Sequence, residues 1–371
     1  MRILLLGEYS NVHATLALGL RRLGHTVTVV SNGDFWKDYP RDIDVSRKEG
    51  KLGGIALLLK VVSLLPRLTG YDIVQLINPM FLELKAERIA PIYRFLKKHN
   101  KRVVLGAFGM DYYWVKTCTY DKPLRYSDFN IGTHVRTDDV AEKDRRDWLG
   151  TPKGRLNEEI ATTCDGIVTE LYEYDVCYRP LFPEKTQFIP PPIVLPDKPC
   201  GQITAVHKPL RLFIGISKGR SRYKGTDIML AAAKAVKEKY PDDIDLIVAN
   251  GVPFDEYSRM LDGSDLLMDQ LYSYTPGMNA LLAMSKGIVV IGGGEPENYE
   301  IIHEDRLRPI INVLPSFQSV FEELEKVVLN PTRVVRLKEE SVEYVRKHHD
   351  YMKVAREYES FYRKLLNNQD T

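Results

Sequence analysis

The chain predicts an α/β protein built from two doubly wound, Rossmann-like domains. Three observations carry that expectation. Short β-branched runs alternate with helical patterns along the chain, the mark of parallel sheets covered by helices. The alternation stops at a proline-rich run, Ile189 to Pro196, with Pro199 beyond it, and then restarts. A length of 371 residues also exceeds what one hydrophobic core ordinarily holds.

In order, Ile3 to Leu6 reads as the first strand. A helix follows from about Asn11, with Val12, Leu16, Leu20 and Leu23 on one face and Gly24 as its stop. Thr26 to Val30 is a second strand, and Leu52 to Leu65 an apolar helix. Asp72 to Ile77 and Arg102 to Leu105 are buried strands, separated by a helix near Glu83 to His99. Periodicity fades across residues 117–154, which read as a long insertion rich in charge and aromatics. A helix ending near Cys164 and the strand Gly166 to Thr169 complete a first domain, residues 1–195. The proline run suits a stiff hinge.

The second domain, residues 205–335, opens with the strand Arg211 to Ile216, the helix Thr226 to Tyr240 and the strand Ile244 to Ala249. A strand near Asp265, a helix from about Gly277 to Lys286 stopped by Gly287, and the strand Ile288 to Ile291 follow. The tail, residues 336–371, is helical and highly charged.

Composition narrows the function. A 44% hydrophobic fraction with 27% charged residues describes a globular protein. A net charge of +2 gives a nucleic-acid partner no support. The four cysteines, Cys118, Cys164, Cys177 and Cys200, have no CxxC spacing; they read as reduced thiols of a cytoplasmic protein, with no metal site. The opening MRILLLGEYS suits a buried strand better than a secretory signal. No run reaches the roughly 20 apolar residues of a membrane span. The helix at Leu52 to Leu65, flanked by Lys48, Lys51, Lys60 and Arg67, leaves two readings: an ordinary crossover helix, or a peripheral rest on an anionic membrane surface.

Two stretches carry the candidate chemistry. Ser217 to Gly225 holds Lys218, Arg220, Arg222 and Lys224 and no acid, between a strand and a helix with Thr226 as its expected N-cap. Such a turn can neutralise a diphosphate by charge-assisted hydrogen bonds; a solvated basic turn is the plain alternative. Asp265 to Asn298 places the start of a helix, Gly277 and Met278, beside a triple-glycine loop that ends at Gly294. Helix N-termini at the carboxyl ends of parallel strands favour anions. Glu295, Glu297 and Glu300 follow that loop; ligand acceptors or a solvated helix start both fit them. His13, in the first turn of the first helix, and Asp111, after a strand and before Tyr112, Tyr113 and Trp114, are the candidate catalytic residues. His13 reads equally as a ligand-orienting group or as a capping or packing histidine, and the aromatics beside Asp111 equally as a stacking surface for a ligand ring or as core. Neither half has G-x-G-x-x-G after its first strand, which argues against a dinucleotide-dependent dehydrogenase.

Ala283, Met284, Ser285, Gly287, Val289 and Val290 resemble the "AMA-x-G" helix end and "PVV" strand of the retaining GT-B glycosyltransferases. Leu23 to Ser31, Asp72 to Leu76, Asp165 to Thr169 and Thr186 to Pro190 resemble further segments of that family in the right order, nearly end to end. The resemblance implies two domains facing a cleft, with the terminal helices crossing back onto the first. It implies sugar transfer from a UDP- or GDP-linked donor to a glycan or lipid-linked acceptor. Retention, no metal and no resident cofactor go with it, as does a role in cell-surface polysaccharide assembly at the inner face of a membrane. Lys224 and Gly225 match the family's phosphate-binding Lys-Gly pair, while Lys218, Arg220 and Arg222 all remain candidates for its arginine. Where the family has paired glutamates this chain has Tyr274 and Leu282, and its "H-G-x-D" histidine is Phe108, with Gly109 and Asp111 retained. Two other functions remain open: a UDP-sugar 2-epimerase of the same fold, and a non-catalytic sugar-nucleotide-binding protein.

Overall fold

A computed structural model describes residues 1–50, 52–196, 205–216 and 219–367. In chain order it begins β1 (Arg2–Leu6), α1 (Val12–Arg22), β2 (Thr26–Ser31), β3 (Ile43–Asp44), α2 (Gly53–Leu64), β4 (Ile73–Leu76), α3 (Ala86–His99), β5 (Arg102–Ala107) and α4 (Tyr112–Tyr120). A small hairpin, β6 (Asn130–Ile131) and β7 (His134–Val135), precedes α5 (Asp139–Trp148), α6 (Pro152–Thr163), β8 (Gly166–Thr169), α7 (Tyr172–Tyr178) and β9 (Thr186–Phe188). The remainder runs β10 (Leu210–Ile216), α8 (Ser221–Lys224), α9 (Thr226–Lys239), β11 (Ile244–Asn250), α10 (Phe254–Leu261), β12 (Leu266–Met268), α11 (Met278–Ser285), β13 (Val289–Gly292), α12 (Pro296–Ile301), β14 (Ile311–Asn312), α13 (Phe317–Leu329), α14 (Pro331–His348) and α15 (Tyr351–Asn367).

The chain divides into two compact units: Met1–Tyr120 with Asp144–Pro192 and Tyr351–Thr371, and Asp121–Lys143 with Ile193–Asp350. The segment 121–143, expected within the first domain, thus packs with the second. Of the helical tail only α15 returns to the first unit, because the helix breaks between His348 and Tyr351.

The first unit is a parallel sheet ordered β3-β2-β1-β4-β5-β8-β9. β1 is central, Leu4 lying between Thr28 and Val74, and Ile3, Leu4 and Leu5 are wholly buried. A strand covered on both faces must be apolar throughout, which is why the opening residues read as a continuous hydrophobic run. Val12, Leu16 and Leu20 turn α1 onto the sheet. On its other side α1 meets α15, whose Tyr362 hydroxyl donates to Gln75 Oε1 of β4 at 2.6 Å.

The second unit is a parallel sheet ordered β11-β10-β12-β13-β14. Side chains alternate across it with the two-residue period of a strand. Leu212 and Ile214 enter a core with α9 and α13, and Phe213 enters one with α11 and α14. Strand order reverses at β1/β4 in one sheet and at β10/β12 in the other. Such switch points open a crevice at the carboxyl ends of the strands.

Candidate functional site

In the second unit, backbone bonds tie three loops together at the carboxyl ends of β10, β12 and β13. Leu271 N–H donates to Lys224 O at 2.9 Å, and Glu295 N–H to Tyr274 O at 3.1 Å. The cationic turn is described from Gly219 onward; Lys218 lies outside the described residues. Arg220 and Arg222 are exposed and Lys224 is half-buried. Gly225 reverses the chain at φ +73°, where an added Cβ would stand 2.6 Å from Leu271 Cβ; a left-handed residue packed this closely has to be glycine. That reversal makes Gly225, not Thr226, the N-cap of α9. Thr226 Oγ1 instead pairs with Ser221 Oγ at 2.9 Å.

The charge of Lys224 acts on Asp269, the first residue after β12. Burial raises the Asp269 carboxyl, while the Lys224 charge and Asn279 draw it down. Asn279 Nδ2, in the first turn of α11, donates to Asp269 Oδ1 at 3.3 Å and to the Tyr257 hydroxyl at 3.0 Å. Among the described residues, no heavy atom lies within 4 Å of where a Cβ on Gly277, the N-cap of α11, would stand. The N-cap position of α11 is therefore open on that side, and Met278 beside it is half-buried. A cation, an amide side chain and a helix N-terminus share one end of the sheet, which suits a phosphate or pyrophosphate.

The expected sugar-binding carboxylates are placed differently. Arg125 makes a two-pronged contact with Glu297, at 2.7 and 3.0 Å, and reaches Glu295 Oε2 at 2.7 Å. The Tyr126 hydroxyl donates to Glu295 Oε1, and Glu295 is only 4% exposed. Arg125 N–H donates to the Tyr274 hydroxyl at 2.7 Å, so Tyr274 anchors segment 121–143. Arg136 fastens the other end of that segment: its guanidinium lies 3.6 Å from the Tyr272 ring centroid and donates to Arg222 O and Tyr223 O at 3.0 Å each. The triple-glycine loop owes its glycines to packing. An added Cβ on Gly293 would lie 2.3 Å from Ser273 O, and Gly294 N–H is taken by Asn312 Oδ1 at 3.0 Å. Leu282 stands half-exposed on α11, and Glu300 is exposed.

In the first unit, the carboxyl ends of β1, β2, β5 and β8 carry Glu8, Asp34, Asp111 and Glu170. Glu8 Oε2 accepts from Ala14 N–H at 2.8 Å and Oε1 from His13 N–H at 3.3 Å, yet burial pushes its carboxyl up to about 8. His13 is wholly buried. Its Nδ1–H donates to Gly7 O at 2.8 Å and its Nε2 accepts from Gln75 Nε2 at 3.3 Å. Burial lowers it to about 3, so the ring is neutral. Asp111 is equally buried. Its Oδ1 caps α4 by accepting from Trp114 N–H at 2.8 Å, and its Oδ2 accepts from the Tyr178 hydroxyl at 2.7 Å. Burial raises it to about 6 against those bonds. Both candidate catalytic residues thus spend these polar atoms inside the unit. Among the described residues one buried oxygen of Glu170 finds no hydrogen-bond partner, and burial, with Glu8 adding, raises the carboxyl to about 8. A cavity of about 140 Å³ opens beside Glu8, Tyr9, Asn32, Phe35 and Met80.

Asp269, Glu8 and Glu170 were missed in the sequence, although each directly or nearly follows a strand, where polar residues point to a site. Arg125, Tyr126, Arg136 and Asn279 gave no local signal. Among the described residues no group of three His, Cys, Asp or Glu side chains could hold a metal ion, and Cys118, Cys164 and Cys177 are buried free thiols.

The architecture matches solved GT-B glycosyltransferases over its full length. Sucrose-phosphate synthase from Thermosynechococcus elongatus shares 13% identity, with all of both chains covered and a TM-score of 0.64. Anabaena HepE, solved with UDP and glucose, shares 12% over 97% of this chain and 98% of its own, at 0.59. A protein described as a UDP-N-acetylglucosamine 2-epimerase from Listeria monocytogenes shares 11% over 100% and 97%, at 0.56. At these identities the likeness is one of fold. The sequence matches no protein-family model and no curated protein.

Proposed function

We propose that the chain transfers a sugar from a nucleotide-diphosphate donor, UDP- or GDP-linked, to a glycan or lipid-linked acceptor with retention and without a metal ion. Assembly of a cell-surface polysaccharide on the cytoplasmic side of a membrane is the setting that fits this chemistry. The observation that carries the reading is the grouping of Lys224, Asp269 and Asn279 with the open start of α11 at a topological switch point. In this reading Lys224, with Arg220 or Arg222, grips the pyrophosphate. The bond from the anomeric carbon to the β-phosphate oxygen breaks as the acceptor oxygen forms its bond on the same face. The acceptor's proton passes to the departing phosphate. Little side-chain base is needed; the protein's contribution is stabilisation of charge on the leaving group. Asp111 and His13 then act by holding the loops after β5 and β1, and Arg125 by setting the positions of Glu295 and Glu297.

A second reading, isomerisation of a nucleotide sugar at C2, draws support from the carboxyl and imidazole groups of Glu8, His13, Asp111 and Glu170 in the first unit. Incubation with a panel of UDP and GDP sugars separates the readings. Release of free nucleotide with sugar transfer or hydrolysis supports the first, and an epimerised sugar still on its nucleotide supports the second. Binding without turnover would refute both and leave a sugar-nucleotide-binding protein.

A further inference from the structure

The apolar helix α2 is only half used by the fold. Gly53, Leu57 and Val61, spaced four apart, face the sheet and are buried. Leu52, Ile55, Leu59 and Val62 fall on the opposite side at 100° per residue. They are 73%, 57%, 65% and 50% exposed. A crossover helix in a globular unit ordinarily buries its large aliphatics or replaces them with polar residues. Here the outward stripe is aliphatic for about three turns. Its hydroxyl, Ser63, is already bonded to Lys60 O at 2.7 Å.

Charge around the stripe is one-sided. In sequence, residues 45–70 contain five cations, Arg47, Lys48, Lys51, Lys60 and Arg67, against the single carboxylate Glu49, with Lys51 outside the described residues. Described facing acids are few: Asp44 stands 3.7 Å from Lys60, and Glu83 Oε2 accepts from Arg47 N–H at 3.1 Å. Lys48, Lys60 and Arg67 are exposed. We propose that α2 lays this face into the surface of an anionic lipid bilayer, the aliphatic side chains entering the acyl boundary and the cations meeting phosphate headgroups. A protein partner would call for directional polar contacts around an aromatic or arginine anchor; α2 presents neither. A lipid surface needs only apolar area and positive charge. The inference does not depend on sugar transfer.

The test is sedimentation of the full chain with vesicles of phosphatidylcholine alone or mixed with phosphatidylglycerol. The wild type should pellet with the anionic vesicles, less so at high salt, and stay in solution with the neutral ones. Lys60→Ala with Arg67→Ala should weaken binding by about fivefold per cation. Ile55→Ser with Leu59→Ser should weaken it by about tenfold or more. All four positions are exposed, and circular dichroism checks that the variants remain folded. A wild type that ignores anionic vesicles, or an Ile55→Ser/Leu59→Ser protein that binds them as well as wild type, overturns the proposal. So does light scattering that shows a wild-type dimer turned monomer by the same pair, which would assign the face to a second copy of the chain.

Discussion

Glu170→Gln isolates one buried charge with almost no change of shape. The residue follows β8, is 8% exposed, and has an oxygen without a hydrogen-bond partner among the described residues. A carboxyl held at about 8 instead of its ordinary 4.5 binds its proton more tightly in the folded chain. At about 1.4 kcal/mol per pH unit the difference approaches roughly 5 kcal/mol, and water penetration reduces it to roughly 2–4 kcal/mol. The sign follows from the raised value. Stability from this group is complete below pH 4.5 and is lost as pH rises through about 8. Urea unfolding at a series of pH values reads it directly. Wild type and variant should match below pH 4.5, diverge between 4.5 and about 8, and differ by those roughly 2–4 kcal/mol above pH 8, with the variant the more stable. Glu8 titrates in the same range and its charge adds to the raising of Glu170, so the difference between the two proteins includes the coupling of the two carboxyls. Parallel curves across the whole range would show that Glu170 is solvated or partnered and would refute the reasoning.

Lys224→Ala should lower UDP affinity by about 1.5–3 kcal/mol in calorimetry, the worth of a charge-assisted hydrogen bond to phosphate; an unchanged affinity removes the residue from the site. Arg136→Ala strips the Tyr272 stack, contacts to three carbonyls and the ion pair with Asp138, at about 2–3 kcal/mol. Faster tryptic cleavage between Lys122 and Lys143 is the expected readout, and an unaltered rate counts against that anchor. Asp265, wholly buried, accepts from Lys338 Nζ at 2.6 Å; Asp265→Ala leaves that ammonium unpaired and should cost about 3–5 kcal/mol in chemical unfolding. Hydrogen bonds and the Lys338 charge outweigh burial and hold the Asp265 carboxyl below its ordinary 3.8. Its contribution should therefore persist at neutral pH and fade only in stronger acid, whereas the alanine variant should lack that acid dependence.

The alternation of strands and helices was legible because a buried parallel strand must be apolar along its length and a covering helix along one face. Those are local properties of a few adjacent residues, and β8 at Gly166–Thr169 coincides with the strand expected there. The cationic turn was legible for the same reason, since its charges are consecutive. What tertiary structure decided are pairings across long stretches of chain: Arg125 with Glu295 and Glu297, 170 and 172 residues away, and the docking of segment 121–143 on the second unit. It also decided that Glu170 is buried while Leu52, Ile55, Leu59 and Val62 are left outside. Burial and charge pairing depend on what the rest of the chain brings alongside a residue, and periodicity along the chain does not record those neighbours.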